Sequence, residues 1–140
     1  MHILLAADGS RFTKKALGFL LANDNLRDPS ASLVVLNVQP ALPPHIANQL
    51  GKRIVVDYQR EQAEKVLQPI TRFLDKHGWA HHSEWTVGKA DEEIIKAARK
   101  QKVHLIVMGT HGHGALGRIL LGSVAQRVTA DSPVPVLLVK

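Results

Sequence analysis

The 140-residue chain contains no cysteine, aromatic side chains make up 4% of it, and it has no long apolar run. Each shortage excludes something. Without cysteine there is no disulfide framework, no thiolate nucleophile and no sulfur-rich metal site, which fits a reducing, cytoplasmic compartment. No stretch approaches the roughly 18 consecutive apolar residues of a membrane span. The opening residues Met1–Asp8 lack a basic region, and their apolar run is about half the length of a signal-peptide core, so export is not expected. So few aromatics offer no obvious platform for stacking bases, and the basic residues behind the net charge of +6 are scattered over several segments. Nucleic acid is therefore the weaker partner; an anionic small ligand suits the charge as well.

What is present is a set of short Val/Ile/Leu runs alternating with amphipathic segments, with no repeat and no low-complexity linker. The length predicts one domain over residues 1–140. Strands are expected at His2–Ala7, Ser32–Gln39, His82–Val87, Val103–Met108 and Val134–Val139. The first, second and fourth are apolar on both faces, as central parallel strands covered by helices must be. The third alternates and belongs at the periphery. Pro133 and Pro135 cannot donate ladder hydrogen bonds, which puts the last strand at an edge.

Ala16, Leu17, Leu20 and Leu21 form a helical stripe after Ser10, a candidate N-cap. A longer helix is expected over Val56–His77 with a kink at Pro69, and another over Ala90–Lys100, acidic in its first turn and basic in its last. The last helix begins near Gly122-Ser123 and ends before Ser132-Pro133. Pro40–Val55 has no clear period and reads either as a flap or as a plain crossover.

Five such strands favour a doubly wound parallel sheet in the order 3-2-1-4-5, an α/β three-layer sandwich whose ligand crevice opens where the winding reverses, between the first and fourth strands. The most unusual loops fall there. Asp8-Gly9-Ser10 follows the first strand; Gly109, Gly112, Gly114 and Gly117 follow the fourth. Glycines allow positive φ and close backbone approach to a phosphate, the helix start at Gly122-Ser123 can add free N–H groups, and Arg118 can add a charge. A tight structural turn, or a capping box from Ser123 to Gln126, accounts for the same residues without a ligand. The loop matches neither the Walker pattern nor the dinucleotide fingerprint.

The spacing Gly109-x2-Gly112-x9-Gly122-Ser123, with Asp8-Gly9-Ser10 at the start and Ser132–Val139 at the end, resembles the universal stress protein family over essentially the whole chain. The resemblance implies a fold of the adenine nucleotide alpha hydrolase-like type, ATP as ligand, with or without Mg2+, and a homodimer paired through the last strand. It implies that Met108, Gly109, Gly112, Gly122, Ser123 and Val124 surround ribose and phosphates. Ala6 and Asp8 would line the nucleoside side, and the backbone of Val38 would meet adenine. His113 stands where the family often has a more basic residue, and Arg11-Phe12 is a bulky start to the first helix.

Asp8, His111, His113 and Arg118 do not form a recognisable catalytic set for phosphoryl transfer. His81-His82 and His111-x-His113 lack the further ligands of a closed zinc site. Trp79, Trp85 and Tyr58 are read as packing residues. The expectation is a nucleotide-sensing module that acts on an unknown protein partner, with a slow ATPase or phosphotransferase using the same pocket as the alternative.

Overall fold

The computed structural model describes residues 1–113 and 120–140. The elements are β1 (His2–Ala6), α1 (Arg11–Ala22), a short 3-10 turn (Asp24–Leu26), β2 (Ser32–Gln39), α2 (Pro44–Leu50), α3 (Lys52–Lys76), β3 (His81–Val87), α4 (Ala90–Lys100), β4 (Leu105–Gly109), α5 (Ser123–Asp131) and β5 (Val136–Val139). The five strands are parallel in the order β3-β2-β1-β4-β5, so the alternating third strand and the proline-preceded fifth are the two edges.

Alternation along the central strands builds two cores, because successive side chains point to opposite faces. Ile3, Leu5, Leu33, Val35 and Val107 face α1 and α3, meeting Ala16, Leu20, Leu67 and Leu74. Leu4, Leu36, Ile106 and Met108 face α4 and α5, meeting Ile94, Ala98, Ala125 and Val128. Trp79 is buried in the first core with Trp85 packed against it, whereas Tyr58, on α3, is 49% exposed. Among the described residues no helix is long and apolar enough to cross a membrane.

The stretch Pro40–Val55 is not without structure. It holds α2, with Pro44 in its first turn, and the first residues of α3, which begins four residues before the periodicity shows it. Gly51, at φ +84°, makes the corner between the two helices, a conformation suited to glycine. None of the α2 residues is buried, so an apolar period had no core to report on. α3 continues through Pro69 as one element of 25 residues.

Candidate functional site

β1 and β4 are neighbours, with Ile3 beside Leu105 and Leu5 beside Val107. β2 lies on the far side of β1 and β5 on the far side of β4. The chain therefore leaves the two central strands in opposite directions, and the loops beyond their carboxyl ends part around a cavity of about 650 Å³. Ala6 and Asp8 reach its wall from β1, Val38 from β2, and Met108 and Gly109 from β4. Gly112 follows in the loop, and Gly122, Ser123 and Val124 complete the wall at the start of α5. All nine positions named from the sequence thus line one space. Gly114, Gly117 and Arg118 lie outside the described residues.

Asp8 organises the first loop. Its Oδ1 accepts from the backbone N–H of Ser10 and from the Thr13 hydroxyl, both at 2.9 Å, while its own N–H donates to Thr13 Oγ1 at 3.2 Å. Ser10 holds the N-cap position of α1, but among the described residues no side chain caps the helix and the buried Ser10 hydroxyl has no partner. The carbonyl of Ala7, just beyond β1, is held at 2.8 Å by the buried side-chain amide of Asn37. The loop is thereby tied to β2 at Ala7 and to the start of α1 at Asp8.

Gly109, Gly112 and Gly122 act through space and not through backbone sign, since among the described residues the glycines with positive φ are Gly9, Gly51, Gly78 and Gly88. A Cβ on Gly109 would lie 2.4 Å from the Cβ of Phe12, and one on Gly112 would lie 2.8 Å from Asp8 Oδ2. At Gly122 it would meet the Thr110 carbonyl at 3.2 Å and His111 Cα at 3.3 Å. Side chains at Gly109 and Gly112 would push the loop after β4 away from the first loop and α1, and one at Gly122 would push the start of α5 away from Thr110 and His111.

Gly122 is the N-cap residue of α5, and its N–H donates to the Thr110 carbonyl at 2.7 Å. Ser123 is therefore the first helical residue, and the capping box does not form; Gln126 Nε2 bonds the Leu121 carbonyl at 3.1 Å instead. Among the described residues no side chain caps α5. Its first-turn N–H groups and the positive end of its dipole are left facing the cavity at Ser123 and Val124. The cavity also has an apolar part to its wall, Leu36, Val38, Ala90 and Ile94. It thus offers apolar surface for a planar group and free N–H groups for an anion.

Sequence reasoning missed Thr13 and Thr110, both buried polar residues on the cavity wall. Thr13 acts on Asp8, five residues before it, Thr110 on its neighbour His111, and no motif carries either. The Thr110 hydroxyl is 2.8 Å from His111 Nδ1, and the His111 ring packs against Phe12 at 5.2 Å between centroids. His113 Nε2 lies 2.6 Å from the Asp8 carbonyl. Among the described residues no three His, Cys, Asp or Glu side chains gather to hold a metal ion. His81 is instead paired with Asp75 at 2.7 Å, at the edge of the sheet.

A family model, that of the universal stress protein family, matches residues 1–140. The chain belongs to the universal stress protein family. A universal stress protein of Thermus aquaticus is 34% identical over 139 residues, covering 99% of this chain and 97% of the relative. Other relatives are longer, and the chain spans about half of a Methanocaldococcus jannaschii universal stress protein, with 39% identity over 87 residues that cover 62% of this chain and 51% of the relative. Among solved structures, that of another Methanocaldococcus jannaschii universal stress protein superposes with a TM-score of 0.85 at 30% identity, covering 99% of this chain and 94% of the other. A universal stress protein from Archaeoglobus fulgidus, solved in complex with dAMP, has the same fold, with a TM-score of 0.73 at 22% identity over 100% of this chain and 98% of the other.

Proposed function

We propose that this universal stress protein binds ATP in the cavity between β1 and β4 and serves as a nucleotide-dependent regulatory module of the stress response, acting in the cytoplasm through a protein partner. The observation that carries the reading is that the start of α5 at Gly122-Ser123, without a side-chain cap among the described residues, and the apolar Leu36, Val38, Ala90 and Ile94 line one cavity of about 650 Å³. Phosphates at the helix start gain from its N–H groups and dipole, while adenine meets the apolar wall at Val38. That the same fold holds dAMP in the Archaeoglobus fulgidus protein supports an adenine nucleotide here. In this reading Ala6 and Asp8 face the nucleoside, and Met108, Gly109, Gly112, Gly122, Ser123 and Val124 surround ribose and phosphates.

A divalent ion fits only as a companion of the nucleotide. The protein gathers no ligand set of its own among the described residues, so Mg2+ would be held by the phosphates, whose charge it would neutralise. Asp8 is a poor candidate for a water-activating base, because its Oδ1 is already occupied by Ser10 and Thr13. Turnover is therefore slow at most, and steady-state phosphate release near the enzyme median of about 10 per second would overturn this.

The test is a calorimetric titration of nucleotide-stripped protein with Mg-ATP, repeated on Ser123→Asp. A bulkier residue at Gly122 would not discriminate, since it would strike Thr110 and His111 whether or not a ligand binds. An aspartate in the first turn suits the helix dipole, so the fold is retained while the phosphates are repelled. Saturable binding that weakens at least about tenfold in the variant, or about 1.4 kcal/mol, is expected. No binding in the native protein, or equal binding in both, refutes the reading.

The same proposal includes a homodimer paired through β5. That strand is an edge, its inner side already pairs with β4, and its apolar Val136–Val139 is open to a second copy. A single monomer mass in light scattering at micromolar concentration would refute the pairing.

A further inference from the structure

Residues along β2 send their backbone hydrogen bonds alternately to β3 and to β1, as a strand with two parallel neighbours must. Leu33 donates to the Ala80 carbonyl at 2.9 Å and the Gln39 carbonyl accepts from Gly88 at 3.0 Å, so the odd-numbered residues pair toward β3. The Leu36 carbonyl accepts from the Ala7 N–H at 2.9 Å, so the even-numbered residues pair toward β1. The β1 register ends at Ala6 beside Leu36. One further step of the ladder would give the Val38 N–H to the Ala7 carbonyl, and among the described residues that bond is not made. The Ala7 carbonyl takes the Asn37 side-chain amide instead, at 2.8 Å, and Asn37 Oδ1 in turn accepts from Gln39 Nε2 at 2.7 Å.

Val38 is a wall of the cavity, whereas Asn37 is buried beneath it. An extended residue directs its N–H and C=O to the same side of a parallel ladder, so Val38 presents a donor and an acceptor side by side where β1 has ended. Adenine carries their complement on its Watson–Crick edge, an acceptor at N1 beside a donor at N6. Guanine has the reverse, a donor at N1 beside an acceptor at O6, and would leave both Val38 groups opposed. The match to adenine lasts only while the Val38 N–H is unclaimed. Asn37 secures this by drawing the nearest backbone acceptor, the Ala7 carbonyl, to its own amide, and the bond from Gln39 fixes which end of that amide faces Ala7.

We infer that Asn37 is a positioning residue for base selectivity: by holding the Ala7 carbonyl it keeps the β1–β2 ladder open and leaves the Val38 backbone pair to choose adenine over guanine. Asn37 acts through Val38 and does not itself touch the nucleotide. The inference rests on the ATP-site reading above, which sets the base beside Val38.

The experiment titrates the nucleotide-stripped full chain with Mg-ATP and Mg-GTP by calorimetry, in the native protein and in Asn37→Leu, and follows amide hydrogen exchange of Val38 by NMR. The native protein should prefer ATP at least about tenfold, and its Val38 amide should exchange faster than that of Leu36 until ATP is added. In Asn37→Leu the preference should fall below about threefold, and the Val38 amide should become protected without nucleotide as it takes the Ala7 carbonyl. A merely structural Asn37 would lower stability and move neither readout. Equal native affinity for ATP and GTP, a preference kept in Asn37→Leu, or a Val38 amide that exchanges alike in both proteins would each overturn this inference alone. Should Asn37→Leu fail to fold, Gln39→Leu decides, because it removes the bond that orients the amide: a loss of preference of at least about threefold is expected, and an unchanged preference overturns the inference. Failure of every nucleotide to bind would overturn the ATP-site reading and this inference with it.

Discussion

The imidazole of His113 is bonded through Nε2 to the backbone carbonyl of Asp8 at 2.6 Å, tying the loop after β4 to the turn after β1. A carbonyl only accepts, so Nε2 carries the proton and the two walls of the cavity are clamped by a single donor. Replacing His113 with Phe removes the donor and keeps the ring. ATP affinity should drop about two- to tenfold, since one such bond contributes about 0.5–1.5 kcal/mol. Calorimetry on the variant checks this; an unchanged affinity would mean that the clamp does not order the site.

Gly109 presents a steric relationship that can be tested without any ligand. Its nearest obstacle is the Cβ of Phe12, which an alanine there would keep. Gly109→Ala should therefore destabilise the fold by about 1–3 kcal/mol, the usual range for overpacking, and Phe12→Ala should fail to rescue it. Urea denaturation of the single and double variants measures both. Full rescue by Phe12→Ala would show that the ring, and not the α1 backbone, sets the limit.

Asp8 has a structural role and a proposed ligand-facing one, and two substitutions separate them. Asp8→Asn retains an oxygen for Ser10 and Thr13, so stability should change by less than about 1 kcal/mol, whereas Asp8→Ala leaves both donors without an acceptor and should cost about 1–3 kcal/mol. If the carboxylate also meets the nucleoside, Asn should weaken ATP binding despite a normal melting temperature. Thermal melts with and without Mg-ATP read both effects.

At the opposite end of the molecule, the Asp28 carboxyl is held below its ordinary range, first by the Ser30 hydroxyl and then by the Ser30 N–H. A depressed carboxylate pKa means that its contribution to stability is present above the unfolded value near 3.8 and is lost as pH falls through the lower folded value. Ser30→Ala should move the Asp28 pKa upward, as followed by NMR titration of its side chain. No movement would place the cause elsewhere in the turn.

Much of this architecture was legible from local pattern. The doubly apolar runs at Ile3–Leu5, Leu33–Leu36 and Ile106–Met108 announce central parallel strands, because only strands covered on both faces exclude polar residues so completely. The Gly109-x2-Gly112-x9-Gly122-Ser123 spacing located the cavity wall, and Pro133 and Pro135 marked an edge strand. α2 was illegible for the complementary reason: it buries no residue, so its sequence was free of any period. The capping box was misleading, because a Ser and a Gln at the right spacing do not state which residue the chain will use as N-cap. Here the hydrogen bond from Gly122 to the Thr110 carbonyl made that choice.

The amino-acid sequence by itself determined the order and type of the main elements and the family, since those follow from periodicity and spacing within a segment. Only the tertiary structure decided that the glycines serve close approach to Phe12, Asp8 and Thr110, that Asp8 is engaged by Thr13, and that the Asn37 amide holds the Ala7 carbonyl. These depend on atoms brought together from segments as far as a hundred residues apart, and no local pattern encodes the distance between them.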